Sequence, residues 1–280
     1  MLREILKSSL RQLLRKQPEA ATSQATFPTE ELQALKELHE RSPLDLHNSI
    51  LYGDATIEGA GLLELFNRCI NSTATSVSPW KNFARIQAAA NLARYFLHSL
   101  SLEGARAECG VFQGFSALLM CRAAALKQRG FSGANFHLID SFEGFPQPQH
   151  QDFIPIRVGA DETRNAPAFN AGDAAASIDQ VQSAFRDYPN VFFHRGFIPQ
   201  VFSALPETRW SFTHIDVDLH APTLASLAYF YPRMVPGGII ICDDYGSKLF
   251  PGAHKAWCGY CQKHDIPFVV LKTGQSVIIR

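Results

Sequence analysis

The stretch 210–246, WSFTHIDVDLHAPTLASLAYFYPRMVPGGIIICDDYG, decides the architecture. Two short apolar runs, Trp210 to Val217 and Gly238 to Cys242, bracket residues 221–232, which are long enough for a crossover helix. Strands joined by one such crossover normally lie side by side and parallel. The run GGIIIC at 237–242 is apolar without alternation, as expected of a strand covered on both faces. Each strand then closes on a pair of acids, Asp216 with Asp218 and Asp243 with Asp244.

Working outward, the same alternation repeats. Apolar runs at Ala105 to Val111, Asn135 to Asp140 and Val191 to Phe197 are separated by helical stretches at 114–129 and 173–187, and a further helix carries Phe83, Ile86, Ala90, Ala93, Phe96 and Leu97. Downstream, Pro267 to Lys272 and Ser276 to Arg280 are joined only by Thr273-Gly274-Gln275, too short for a crossover and therefore a hairpin. The expected fold is α/β, with five parallel strands finished by an antiparallel C-terminal hairpin strand, unlike a dinucleotide dehydrogenase whose strands all run parallel. Residues 1–75 read as a helical N-terminal accessory segment and 76–280 as the α/β domain. Within the first, Leu2, Ile5, Leu6, Leu10, Leu13 and Leu14 form an amphipathic stripe over 1–16, a polar linker follows to about 29, and Thr29 is placed to cap a helix over 30–41. Docking on the body or on a second copy is the expected use of that stripe.

Composition excludes several classes. The 280 residues carry 26 Lys+Arg against 26 Asp+Glu, so no basic excess points to nucleic acid. No run reaches the roughly 18 to 20 apolar residues of a membrane span. The first 16 residues interleave leucines with charges, unlike a secretory signal, and the six cysteines are scattered. A cytoplasmic protein with reduced thiols is expected.

Two features point to a ligand. The first is the turn Glu108-Cys109-Gly110-Val111-Phe112-Gln113-Gly114-Phe115-Ser116, between a strand and a helix. It lacks the G-x-G-x-x-G spacing of a dinucleotide site, and an acid before the first glycine suits a cationic amino or sulfonium group better than a pyrophosphate. Asp140 and Ser141 close the next strand, where an acid can accept from a ribose. The second feature is the set Asp216, Asp218, Asp243 and Asp244, brought to one sheet edge if i and i+2 share a face. Clustered carboxylates raise one another's pKa unless a cation neutralises them, and all-oxygen ligands favour Mg²⁺, with Mn²⁺ possible, over zinc. Taken singly, Asp218, Asp243 or Asp244 would also serve as a helix or turn cap.

In order and spacing, ECGVFQGFS, DSFEGFP, HIDVDLH and PGGIIICDDYG resemble the macrocin O-methyltransferase family over about residues 75–280. The resemblance implies a class I methyltransferase (Rossmann-like) fold, with a seven-stranded sheet and a reversed last strand. It also implies transfer of a methyl group from S-adenosylmethionine to a hydroxyl, on a sugar of a glycosylated metabolite or glycan, with Mg²⁺. By position, Asp216, Asp243 and Asp244 correspond to metal ligands and Asp218 to a general base. Glu108, Gly110, Gly114 and Ser116 correspond to the methionine-binding loop, Asp140 and Ser141 to the ribose site, and Gly196 with Phe197 to the adenine site. His220 stands where the family commonly has Tyr, which makes it a second catalytic candidate, and Phe115 stands where a further Gly is common. A catechol or phenol methyltransferase and a catalytically silent binding protein of the same fold are the rival readings. The Cys258-Gly259-Tyr260-Cys261 motif lies in what should be the last helix, the wrong context for redox chemistry or zinc, so Trp257 and Cys261 are expected in the core. Glu143 to Gly172 is too long for a simple connection and reads as a lid.

Overall fold

The computed structural model describes residues 62–73, 79–157 and 162–280. The expectations for 1–16, 17–29 and 30–41 lie outside the described residues. Helices α1 (Leu62–Thr73) and α2 (Pro79–Ser99) precede β1 (Ala105–Cys109), α3 (Phe115–Lys127) and β2 (Phe136–Asp140). An antiparallel pair, β3 (Phe153–Arg157) and β4 (Thr163–Pro167), follows, then α4 (Ile178–Ala184) and β5 (Val191–Arg195). The chain continues through β6 (Trp210–Ile215), α5 (His220–Phe230), β7 (Met234–Cys242), α6 (Pro251–His264), β8 (Val269–Val270) and β9 (Ser276–Ile279).

The seven-stranded sheet has the order β5-β2-β1-β6-β7-β9-β8. Its first five strands are parallel, and β9 runs antiparallel to both β7 and β8, so the hairpin inserts its second strand beside β7. The apolar run at the end of β7 divides between two cores. Ile239 and Ile241 face one side with α1, α2 and α3, while Ile240 and Cys242 face the other with Trp257 and Cys261 of α6 and Phe230 of α5. That is why the run does not alternate in polarity. On the first side Phe96 is fully buried, with its ring 5.0 Å from Phe136 and 5.5 Å from Phe212. Leu65, Phe66, Cys69 and Ile70 of α1 join this same core, so the end of the expected accessory segment packs as part of the domain.

Several strands stop earlier than their hydrophobicity suggests. β1 ends at Cys109 because Gly110 turns the chain with φ +86°, and β6 ends at Ile215, not Val217. The expected helix over 173–187 is shorter: Ser177 accepts a hydrogen bond from the Gln180 N–H and starts α4 only at Ile178. The lid stretch 143–172 contains the β3/β4 hairpin, which sequence patterning did not show because β3 is a short apolar run broken by Pro155, β4 is polar, and neither alternates.

Candidate functional site

A cavity of about 840 Å³ opens at the carboxyl edge of the parallel strands, within the size range of small-molecule sites. Gly110, Ser116, Asp140, Ser141, Gly196 and Phe197 line it on one side, and Asp216, Asp218, Asp243 and Asp244 on the other. Phe145, Phe169, Leu249 and Phe250 complete its rim, the ring of Phe169 stacking on that of Phe250 at 4.9 Å. Glu108, Gly114 and His220 are not among the lining residues.

The glycine turn is built by packing inside the protein. A side chain on Gly110 would collide with the backbone carbonyl of Asp216, and one on Gly114 would press on Val181 and Phe185 of α4. Gly110 therefore lets β6 exit against the turn, and it also lines the cavity. Asp140 fixes the same turn: its Oδ2 accepts from the N–H groups of Val111 at 2.7 Å and Phe112 at 2.8 Å, and its Oδ1 from Phe142 at 2.7 Å. A carboxylate offers about four lone-pair directions, so this leaves acceptor capacity toward the cavity.

Glu108 lies beneath the cavity floor, fully buried, with Oε1 2.8 Å from His214 Nδ1. His214 Nε2 in turn stands 3.6 Å from Asp243 Oδ1. Burial alone would lower the His214 pKa, yet the partners Asp243 and Glu108 raise it well above the usual histidine value. Gln275 Nε2 donates to Asp243 Oδ1 at 2.7 Å, and Asn91 donates to Gln275 Oε1 at 2.9 Å. Burial would raise the Asp243 pKa, yet His214 first, then the Gln275 hydrogen bond and the charge of Arg85, hold it below the usual carboxylate value. Sequence reasoning missed His214, Gln275 and Asn91, whose roles depend on contacts between distant parts of the chain.

The other three acids behave differently. Asp216, Asp218 and Asp244 each offer a carboxylate oxygen, and these oxygens lie within 4.8 Å of one another. Enclosure by the protein, then mutual repulsion with one another and with Asp243, raises all three well above the usual carboxylate range. The trio that closes up is thus Asp216, Asp218 and Asp244, with Asp243 turned toward His214 and Gln275. Its route differs from the strand alternation expected: Asp218 has φ +61°, and the Leu219 N–H donates to the Val217 carbonyl across it, a γ-turn that folds the chain back. The Asp218 N–H donates to Asp244 Oδ2 at 3.1 Å. A set of hard oxygen donors that repel one another suits a divalent cation of the Mg²⁺ or Mn²⁺ type.

His220, the second catalytic candidate, lines a separate groove between α5 and α6 with Leu224, Lys255 and Tyr260. In α6, Trp257 and Cys261 are buried and Cys258 is half-buried beside His254, in line with a structural role for the first two.

Residues 84–276 match the family model described as Macrocin-O-methyltransferase. The 8-demethyl-8-(2,3-dimethoxy-alpha-L-rhamnosyl)-tetracenomycin-C 4'-O-methyltransferase of Streptomyces olivaceus is 30% identical over 146 residues, covering 49% of this chain and 51% of the relative. The mycinamicin III 3''-O-methyltransferase of Micromonospora griseorubida is 30% identical over 164 residues, covering 57% and 61%. The match therefore spans about half to three-fifths of these curated relatives. Among solved structures, the calicheamicin methyltransferase CalS11 superimposes with a TM-score of 0.56 at 17% identity, covering 94% of this chain and 99% of that one, which shows a shared fold.

Proposed function

The chain belongs to the macrocin O-methyltransferase family, and from that premise we propose that it moves a methyl group from S-adenosylmethionine to a hydroxyl, assisted by Mg²⁺ or Mn²⁺. The observation that carries the reading is the trio of carboxylates at the wall of a cavity whose other wall is the glycine turn and Asp140. In this reading the cofactor lies against Gly110, Ser116, Asp140, Ser141, Gly196 and Phe197. The unused lone pair of Asp140 Oδ1 suits a ribose hydroxyl. Glu108 acts from below the floor, by fixing His214.

Asp216, Asp243 and Asp244 are the proposed ligands. Asp243 is held by His214 and Gln275 with a lowered pKa, whereas Asp216 and Asp244 have raised values that a bound divalent ion would bring down. When bound, a divalent ion supplies Lewis acidity to the acceptor hydroxyl and compensates the clustered charge. Asp218 stands in the same trio of carboxylates but outside the proposed ligand set, which suits the group that takes the hydroxyl proton. The remaining chain residues orient the acceptor oxygen toward the methyl group, a positioning effect. Apolar rings of Phe145, Phe169 and Phe250 exclude water at the rim.

The acceptor in this reading is a sugar hydroxyl on a glycosylated small molecule. The tetracenomycin relative is named for a rhamnosyl substrate, which supports a sugar over a catechol. All six cysteines are unpaired, which fits a cytoplasmic enzyme. The test is calorimetric titration with S-adenosylhomocysteine, with NAD as the comparison. Micromolar binding of the first and none of the second is expected; the reverse would return the chain to the dehydrogenases.

A further inference from the structure

Asp152 is a buried acid that the proposed reaction does not use. It sits in the turn 150–152 at the foot of the β3/β4 hairpin and is 4% exposed. Its Oδ2 accepts from the Gln149 N–H at 2.8 Å, which closes its own turn. Its Oδ1 reaches across 68 positions of sequence to accept from the His220 N–H at 2.7 Å. That N–H is the first of α5, one of the donors a helix start leaves without an internal partner. Leu219, at the cap position, has no side-chain acceptor to offer. The cap of α5 is therefore supplied from the lid.

The consequence falls on Asp218. At φ +61° Asp218 takes a left-handed conformation that Asp tolerates better than most residues but that its surroundings must still select. Two acids do so here: Asp244 accepts from the N–H of Asp218 itself, at the centre of the γ-turn, and Asp152 accepts from the His220 N–H just after it. Gly252 gives Asp152 its room, because a side chain there would collide with Asp152 Oδ1 and come within 3.0 Å of the His220 side chain. Lys255 ties down the same turn by donating to the Gln151 carbonyl at 2.7 Å.

We propose that Asp152 is a positioning residue that ties the lid to Asp218, so that the carboxylate of Asp218 is aimed at the acceptor only while the foot of the lid is docked. The proposal rests on the methyl-transfer reading for its catalytic consequence but not for the clamp itself, and the two are tested separately. With ¹⁵N-labelled protein, Asp152→Ala should move the amide resonances of His220 and Asp218 and raise their hydrogen-exchange rates at least tenfold. Asp152→Asn keeps an Oδ1 acceptor for the His220 N–H but sets an NH₂ against the Gln149 N–H, so it should move both amides less than Asp152→Ala does. In turnover with a competent acceptor, Asp152→Ala should lower kcat at least tenfold with S-adenosylhomocysteine affinity within threefold, and Asp152→Asn, which keeps one of the two acceptor oxygens, should recover part of it. Gly252→Ala, which displaces the acid without removing it, should resemble Asp152→Ala. Unmoved Asp218 and His220 amides in Asp152→Ala would overturn the clamp. So would parallel loss of cofactor binding and kcat in both Asp152 variants, the mark of a merely structural acid. If wild-type protein turns over no acceptor, the enzymatic reading fails while the amide experiment still decides the clamp.

Discussion

Asp218 and Asp216 stand two residues apart and point into one cavity, yet their expected losses differ. Asp218→Asn keeps the proposed ligand set and should lower turnover by about 10²- to 10⁴-fold with metal and cofactor affinity retained. Asp216→Asn should instead weaken metal binding, so that excess Mg²⁺ restores part of its activity. Equal rescue of both variants would make Asp218 a ligand. Gly110 makes a different kind of prediction. Gly110→Ala places a side chain at positive φ against the Asp216 carbonyl and should cost about 3 kcal/mol of stability, read from urea midpoints, even without any ligand. A stable variant that had lost only cofactor affinity would contradict the packing role. The meeting of acids was legible from two strands each ending in carboxylates. The manner of it was not, because Asp is a residue that tolerates positive φ and no turn residue in HIDVDLH announces the reversal. Nor was the pairing of Glu108 with His214, which depends on the register of β1 with β6.

At the scale of elements, the parallel strands and the terminal hairpin were legible because each is bounded by Gly, Pro, Asp or Asn and because Thr273-Gly274-Gln275 leaves no room for a crossover. Strand ends were less so: at Gly110 and Asp216 apolar sequence continues past the point where the backbone turns. The β3/β4 hairpin escaped notice since its apolar strand FIPIR is short and broken by Pro155 and its partner TRNAP is polar, while its foot is anchored by Asp152 on α5 and by Lys255 of α6. The core is a firmer target. Phe96 joins α2 to both β2 and β6, so Phe96→Ala should cost about 3–5 kcal/mol through the cavity it leaves, with the denaturant slope unchanged. A loss under about 1 kcal/mol would mean that α2 is not held on the sheet in this way.

For the whole molecule, a net charge of zero hides a concentrated acidic site, and its sign sets a pH dependence. Asp216, Asp218 and Asp244 have folded pKa values above the unfolded carboxylate value of about 4, so their contribution to stability is present below that pH and is lost as pH rises through the raised values. His214, also raised, contributes below about 6.5 and loses that contribution above its raised value, whereas Asp243, lowered, acts in the opposite direction at acid pH. A cation that compensates the acids should therefore stabilise most where they are ionised. The rise in Tm on adding Mg²⁺ should grow from pH 5.5 to pH 8.5, and an equal or larger rise at pH 5.5 would contradict the assignment. The most direct test of the central claim is methyl transfer itself. Protein stripped of metal is incubated with S-adenosylmethionine carrying a labelled methyl group and a panel of glycosides and catechols, with and without Mg²⁺, and the products are read by mass spectrometry. Label is expected on a sugar hydroxyl only when Mg²⁺ or Mn²⁺ is present; full transfer after exhaustive chelation, or label confined to catechols, would overturn the proposed reaction.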